Sequence, residues 1–153
     1  MSRDEKLYWA CGRDGDLSTV RQMVAQGADI NLPNSDFHNC SPLMYSLMYP
    51  GRKTTSIYLL SLRTLHTEYI RVSDNWTALH QACSRGADSE TIDMILARVS
   101  CQFVNIKCSG SYGPYTVSAL SLAVRRNNQA AVTTLSNYPG IDWSTEDLIT
   151  EAR

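Results

Sequence analysis

The chain has no apolar run near the roughly 18 residues that a membrane helix needs, and its charged opening, Met1-Ser2-Arg3-Asp4-Glu5-Lys6, leads into no apolar leader segment. It has no excess of either charge. The formal net charge is -1, so charge gives no ground for expecting nucleic acid or a membrane surface as partner. There is no CxxC pair, and the five cysteines, Cys11, Cys40, Cys83, Cys101 and Cys108, are odd in number. That argues against a disulfide framework and for reduced thiols in a cytoplasmic protein, or one shared between cytoplasm and nucleus. No Gly-x-Ser-x-Gly elbow and no glycine-rich phosphate loop precede a helix, and His38, His66 and His80 stand in three unrelated local contexts. A catalytic site, or a cofactor to serve one, has no residues to rest on. What is there is a chain of 153 residues, 43% hydrophobic, enough for one compact domain with its own core.

The organising feature is a repeat. Ser41-Pro42-Leu43-Met44-Tyr45-Ser46-Leu47 returns as Thr77-Ala78-Leu79-His80-Gln81-Ala82-Cys83 and as Ser118-Ala119-Leu120-Ser121-Leu122-Ala123-Val124, with a truncated copy at Leu7-Tyr8-Trp9-Ala10-Cys11. The anchors Leu7, Leu43, Leu79 and Leu120 stand 36, 36 and 41 residues apart, each followed three residues later by a small residue: Ala10, Ser46, Ala82 or Ala123. Ser or Thr is a good N-cap, Pro or Ala suits the first helical position, Leu faces a core, and the small residue one turn on lets a neighbouring helix approach. Each of these short helices is followed by a turn signal: Asp14-Gly15-Asp16, Pro50-Gly51, Arg85-Gly86 or Asn127-Asn128. A second apolar-periodic stretch then follows, carried by Val20, Met23 and Val24; by Ile57, Leu59 and Leu60; by Ile92, Ile95 and Leu96; and by Val132 and Leu135. Each unit reads as helix-turn-helix.

These motifs, together with the close Gly27-Ala28-Asp29-Ile30-Asn31, resemble the ankyrin repeat, a unit of about 33 residues with a Thr-Pro-Leu-His-x-Ala signature. The resemblance covers about residues 5 to 143 and implies an all-α fold: a solenoid of helix-turn-helix units joined by β-hairpin-like loops. It predicts a single domain over 1-153 with repeats at 5-35, 36-71, 72-107 and 113-143, and 144-153 as a polar cap or the start of a further segment. Ile149-Thr150-Glu151-Ala152-Arg153 ends inside a plausible helix, which leans towards a part of a longer chain. The second unit lacks the Gly-Ala-Asp close, having Arg63-Thr64-Leu65-His66, and its turn is widened by Pro50-Gly51-Arg52-Lys53; it is expected to be the weakest. Where the family places Gly at positive φ, this chain has Asn39, Asn75 and Thr116. Asn is the best substitute there, so the two sequons at Asn39 and Asn75 need no glycan, whereas Thr116 implies a different path for the last hairpin. The hairpins from Asn31 to Ser41 and from Asn105 to Ser118 span 10 and 13 residues, and the second carries Tyr112 and Tyr115. Long aromatic loops on a rigid scaffold suit binding.

His80 and Cys83, three apart on one helix, could join Cys101 and Cys108 around a metal. The repeat register favours another role for them: His80 as a bridge to the next repeat and Cys83 in place of a buried alanine. No metal site is expected. Asp14, Asp16, Asp142, Glu146, Asp147 and Glu151 read as turn and cap residues.

The resemblance places the contact surface on the concave face and the hairpin tips, and so on Arg13, Phe37, His38, Met48, Tyr49, Trp76, Arg85, Tyr115, Arg125 and Arg126, with Trp76 and Arg85 pointing outward. Arginine and aromatic residues dominate interface hot spots. Arg13, Arg85, Arg125 and Arg126 have no Asp or Glu at equivalent helix positions, which suits an acidic or phosphorylated segment of a partner protein. The stretch Met23-Val24-Ala25-Gln26-Gly27-Ala28-Asp29-Ile30-Asn31 is also similar to the context in which an asparaginyl hydroxylase acts on ankyrin hairpins, making Asn31 a candidate modification site. The expected function is non-enzymatic: a monomeric scaffold or adaptor that binds another protein, with no cofactor, nucleic acid or membrane. The alternatives are the recognition domain of a larger regulatory protein or ubiquitin-ligase adaptor and, more distantly, a metal-binding protein.

Overall fold

The computed structural model of the protein describes residues 1-109 and 116-143. Four helix pairs succeed one another: α1 (Arg3–Cys11) with α2 (Leu17–Ala25), α3 (Pro42–Leu47) with α4 (Lys53–Leu60), α5 (Ala78–Ser84) with α6 (Ser89–Leu96), and α8 (Ala119–Arg125) with α9 (Gln129–Ser136). The short α7 (Cys101–Val104) follows α6. The first helices of the pairs pack in chain order, α1 on α3, α3 on α5 and α5 on α8, and so do the second helices, α2 on α4, α4 on α6 and α6 on α9. Two small antiparallel ribbons join the pairs: β1 (Ile70–Arg71) with β2 (Trp76–Thr77), and β3 (Lys107–Cys108) with β4 (Val117–Ser118). At the corresponding place between the first two pairs there is a single bridge, Asn34 to Cys40. A mostly helical chain with short strand pairs fits a repeat fold.

The local chemistry explains the helix starts. Ser41, Thr77 and Ser118 cap α3, α5 and α8, each side chain accepting the N–H three residues on. Asp16, Asp88 and Asn128 do the same for α2, α6 and α9. Among the described α-helices, α4 alone starts without a side-chain cap. The anchors Leu7, Leu43, Leu79 and Leu120 are buried, as are the small residues Ala10, Ala82 and Ala123. Ser46, the one polar member of that set, donates to Leu43 O at 2.8 Å and pairs with Ser56 of α4 at 2.8 Å, so its hydroxyl costs little to bury. Asn39 and Asn75 adopt φ of 55° and 61°, the left-handed conformation expected of them. Thr116 is absent from that region, while His38 joins it at φ 56°.

Side chains also fasten one pair to the next by a recurring clamp. The Asn31 carboxamide donates to Thr64 O at 2.8 Å and accepts from His66 N–H at 2.7 Å. Asn105 repeats this one element from the end, donating to Gly140 O at 2.9 Å and accepting from Asp142 N–H at 2.8 Å. Between them two residues share the task. The Thr67 hydroxyl donates to Arg98 O at 2.8 Å, and the Glu68 carboxylate accepts from Ser100 N–H at 2.7 Å.

The second pair, where the close is lost and the turn widened, gains ties that the repeat pattern does not supply. Arg98 donates from Nη1 to Leu60 O and Leu62 O at 2.8 and 2.9 Å, and from Nη2 to Leu65 O at 3.3 Å, tying down the last carbonyl of α4 and two in the segment that follows it. The inserted turn forms a short 3₁₀ segment, Pro50–Arg52. From it Arg52 reaches back to Gly12 O at 2.7 Å, and Lys53 reaches forward to Asp88 and Glu90 at 2.6 and 2.9 Å.

Candidate functional site

Where the first helices of the later pairs end, an open groove of about 520 Å³ is lined by residues from the β1–β2 hairpin, the Phe37–Cys40 loop and the helix ends. Its floor is a closed polar network. Asp74 accepts from Arg71 Nε and Nη2 at 2.9 and 2.7 Å and from the Trp76 N–H at 3.2 Å. Burial acts to raise the Asp74 carboxyl, but the Arg71 guanidinium and the Trp76 amide outweigh it and hold the group below the usual carboxylate range. Arg71 Nη1 in turn donates to His38 O at 3.2 Å and to Cys40 Sγ at 3.3 Å. Burial pushes the Cys40 thiol up, against the pull of that guanidinium. The Trp76 indole N–H donates to Gln81 Oε1 at 3.0 Å, and Gln81 Nε2 donates to Met44 O at 3.2 Å.

Above this floor the lining changes character. Met48 is the C-cap of α3, Arg85 of α5 and Arg126 of α8, so three successive units place their cap residue in one groove. Arg85 and Arg126 are exposed, and among the described residues neither guanidinium has a hydrogen-bond or ion-pair partner. With Arg71 neutralised by Asp74, the two leave the groove with an uncompensated positive charge.

The structure divides the residues nominated from sequence. His38, Met48, Trp76, Arg85 and Arg126 share the groove. Trp76 does not point outward: its ring is half-buried and lies over His80 with centroids 5.5 Å apart. Arg13, Phe37 and Tyr49 lie instead around the buried ring of Tyr45. Phe37 and Tyr49 pack on it at 4.7 and 5.7 Å, and its hydroxyl accepts from the Arg13 N–H at 3.0 Å. Tyr45 is also stacked on Tyr8 at 4.6 Å and met edge-on by Trp9 at 5.7 Å. Burial pushes its phenol up to about 12. Gly12 makes room for the ring, since a Cβ there would come within 2.6 Å of it. The Arg13 guanidinium sits 4.6 Å from the Trp9 ring and pairs with Asp14 at 2.9 Å, so its charge is already answered. Arg125 closes α8 outside the groove lining. Tyr115 lies outside the described residues, as do Glu146, Asp147 and Glu151.

Arg71, Asp74 and Gln81 were missed. The spacing Arg71-x-x-Asp74 across a tight hairpin was the available signal, and it qualifies the expectation of a face free of acids: Asp74 enters from the hairpin tip, not from a helix. Asn31 is placed in the clamp, both ends of its amide engaged.

His80 bridges repeats. Its Nδ1 accepts from the Thr77 N–H at 3.1 Å and its Nε2 donates to Ile106 O at 3.0 Å, which fixes the tautomer. Burial holds its pKa down at about 4. Cys83 is fully buried and Cys101 is exposed, and among the described residues no three His, Cys, Asp or Glu side chains gather as a metal site. No described helix is long and apolar enough to cross a membrane.

Comparison with known families agrees with the geometry. The ankyrin repeat family model matches residues 7-35, which supports an ankyrin-repeat domain. Ankyrin repeats generally mediate protein–protein interaction and are typically non-enzymatic. No curated protein matches the chain.

Proposed function

We propose that this ankyrin-repeat domain is a non-enzymatic scaffold or adaptor whose four units, at about 5-35, 36-71, 72-107 and 113-143, stack as a solenoid and dock a partner protein in the groove around Trp76. The observation that carries the reading is the contrast between floor and rim. Every polar group named on the floor is spent on another floor group, whereas Met48 lines the groove beside Arg85 and Arg126, which have no hydrogen-bond or ion-pair partner among the described residues. Such a surface is preorganised, so a partner loses little to ordering it on binding. Free thiols at Cys11, Cys40, Cys83 and Cys108, all buried, suit a reducing compartment such as cytoplasm or nucleus.

The test is capture from extract of the expressing cells by the immobilised domain, by a Met48→Ser/Arg85→Glu/Arg126→Glu variant, and by a Thr133→Glu variant altered on α9, each with a melting curve matching wild type. A protein retained by wild type and Thr133→Glu and lost by the groove variant is expected. Equal retention by all three would move the binding surface out of the groove and overturn the assignment.

A further inference from the structure

Resting on the groove as the docking site, we propose that its occupant is an extended segment of a partner protein carrying an apolar residue and two carboxylates at three-residue intervals: apolar-x-x-acid-x-x-acid.

The argument starts from the row of cap residues. Met48, Arg85 and Arg126 are the C-caps of α3, α5 and α8, Met48 one register position nearer its anchor leucine than the two arginines, and these helices pack side by side in that order. Packed helices lie about 8–10 Å apart, so the row reads apolar, positive, positive in steps of roughly one helix spacing. It does not continue to α1. The C-cap there is Gly12, whose open side is filled by the Tyr45 ring, and the neighbouring Arg13 is paired with Asp14. The row therefore has an apolar end, at Met48 beside Trp76, and a cationic end.

A chain lying along such a row must return a side chain to the same side at the same spacing. An extended polyproline-II backbone repeats every three residues and rises about 3.1 Å per residue, or ~9 Å per repeat. A flat β-strand turns every third side chain to the opposite face and does not match. Two uncompensated guanidiniums call for two anions, and carboxylates on a flexible chain can each meet one in a charge-assisted pair. Asp74 does not compete, because its oxygens already face Arg71 and the Trp76 amide. The segment runs across the units, and the closed floor beneath leaves its backbone to solvent, which an extended helix without internal hydrogen bonds tolerates.

Arginines at helix C-termini also meet the negative ends of the helix dipoles. That role needs no partner. If it were the whole story, Arg85→Ala and Arg126→Ala would lower the melting temperature and leave peptide binding untouched.

The test uses fluorescein-labelled Gly-Ser-Leu-Gly-Ser-Glu-Gly-Ser-Glu-Gly-Ser and fluorescence anisotropy against the full chain. The controls are a peptide with Leu-Glu-Glu contiguous, one with both Glu replaced by Gln, one with both replaced by Lys, one with a single phosphoserine between Gln residues, and an oligo-dT strand. Saturable binding that weakens with salt is expected for the first peptide, with at least about tenfold loss on Arg85→Glu/Arg126→Glu. The same charge-reversed protein should gain binding to the Lys peptide. Absence of saturation up to about 1 mM, a Kd no tighter than the weakest specific range, overturns the proposal. So does equal binding of the contiguous peptide. Tighter binding of the phosphoserine peptide assigns the groove to phosphate, and binding of oligo-dT with the same arginine dependence makes it a general anion surface; either refutes the carboxylate spacing. Partner capture that depends on the groove while these peptides fail would leave the docking site standing and remove only this occupant.

Discussion

Replacing Arg98 by Met should unfasten the second unit from the third. The methylene stem of Met keeps the packing of the arginine stem, so what is lost is the guanidinium and its bonds to Leu60 O, Leu62 O and Leu65 O. A hydrogen bond from a charged donor contributes about 1.5–3 kcal/mol. Two of the three are short and the third, at 3.3 Å, is weak, while Arg98 is only half-buried, so water recovers part of the loss. A net cost of about 2–4 kcal/mol follows, set against the roughly 5–15 kcal/mol of a whole domain. For a chain of this size each kcal/mol moves the melting temperature by about 2–4 °C, so a fall of about 5–15 °C is expected. Arg98→Lys keeps the charge but offers one compact ammonium to three spread carbonyls, and should lie between. Urea denaturation followed by circular dichroism gives the free energies. Hydrogen exchange should show protection lost first in α4 and the 61-69 segment, because stability in a stack is shared between neighbours. A Met variant within about 0.5 kcal/mol of wild type, or one losing protection evenly along the chain, would refute the claim that Arg98 replaces the missing close.

Acid should weaken the protein through His80. Its folded pKa, about 4, lies below the ordinary 6.5, so stability is full above the unfolded value and is lost as pH falls through the window from 6.5 to 4. The loss should approach about 3 kcal/mol by pH 4, and a His80→Gln variant measured by urea melts at pH 7, 5.5 and 4 should show a flatter profile. Leu79→Ala, at 1% exposure, should cost about 2–5 kcal/mol in the same assay; an unchanged melt would remove Leu79 from the core. Asn31→Ala and Asn105→Ala should each cost about 1–3 kcal/mol, and the middle clamp should need both Thr67→Val and Glu68→Ala to lose as much. Near-zero cost for either asparagine would mean that water replaces the amide.

The repeat was legible because its signals are local. An N-cap, an anchor leucine and a small residue act within one turn, and the left-handed backbone at Asn39 and Asn75 is decided by a single side chain. What stayed hidden depends on where a distant segment passes. Nothing around Arg98 announces that three carbonyls from 33 to 38 residues earlier will converge on it. The surroundings of the candidate surface were hidden in the same way, although His38, Met48, Trp76, Arg85 and Arg126 do share one groove. Arg13 resembles Arg85 in the register, but Asp14 beside it and Trp9 beneath it take up its charge. Trp76 was expected outside because hairpin positions face solvent, yet Gln81, five residues on, offers an acceptor that draws the indole in over His80. Asp74 reaches the same face from the hairpin tip, a position that the register of the helices does not reveal.

The departures from the repeat pattern have a common direction. The widened turn of the second unit costs α4 its cap, but it supplies Arg52 to the first unit and Lys53 to the third. The lost close is met by Arg98 from the third. The unit with the poorest internal signals is therefore the one most tied to its neighbours by long cationic side chains. Those ties draw on Arg52, Lys53 and Arg98 without drawing on the groove arginines, although Arg85 borders a second cavity that also holds Lys53 and Asp88. Had Arg85 and Arg126 both been spent on such ties, the units would still be joined, but neither charge would face the groove. Because the fastening cations and the groove cations are different residues, the helix pairs can hold together while the proposed docking surface stays unsatisfied, which is the physical condition that the proposed function requires.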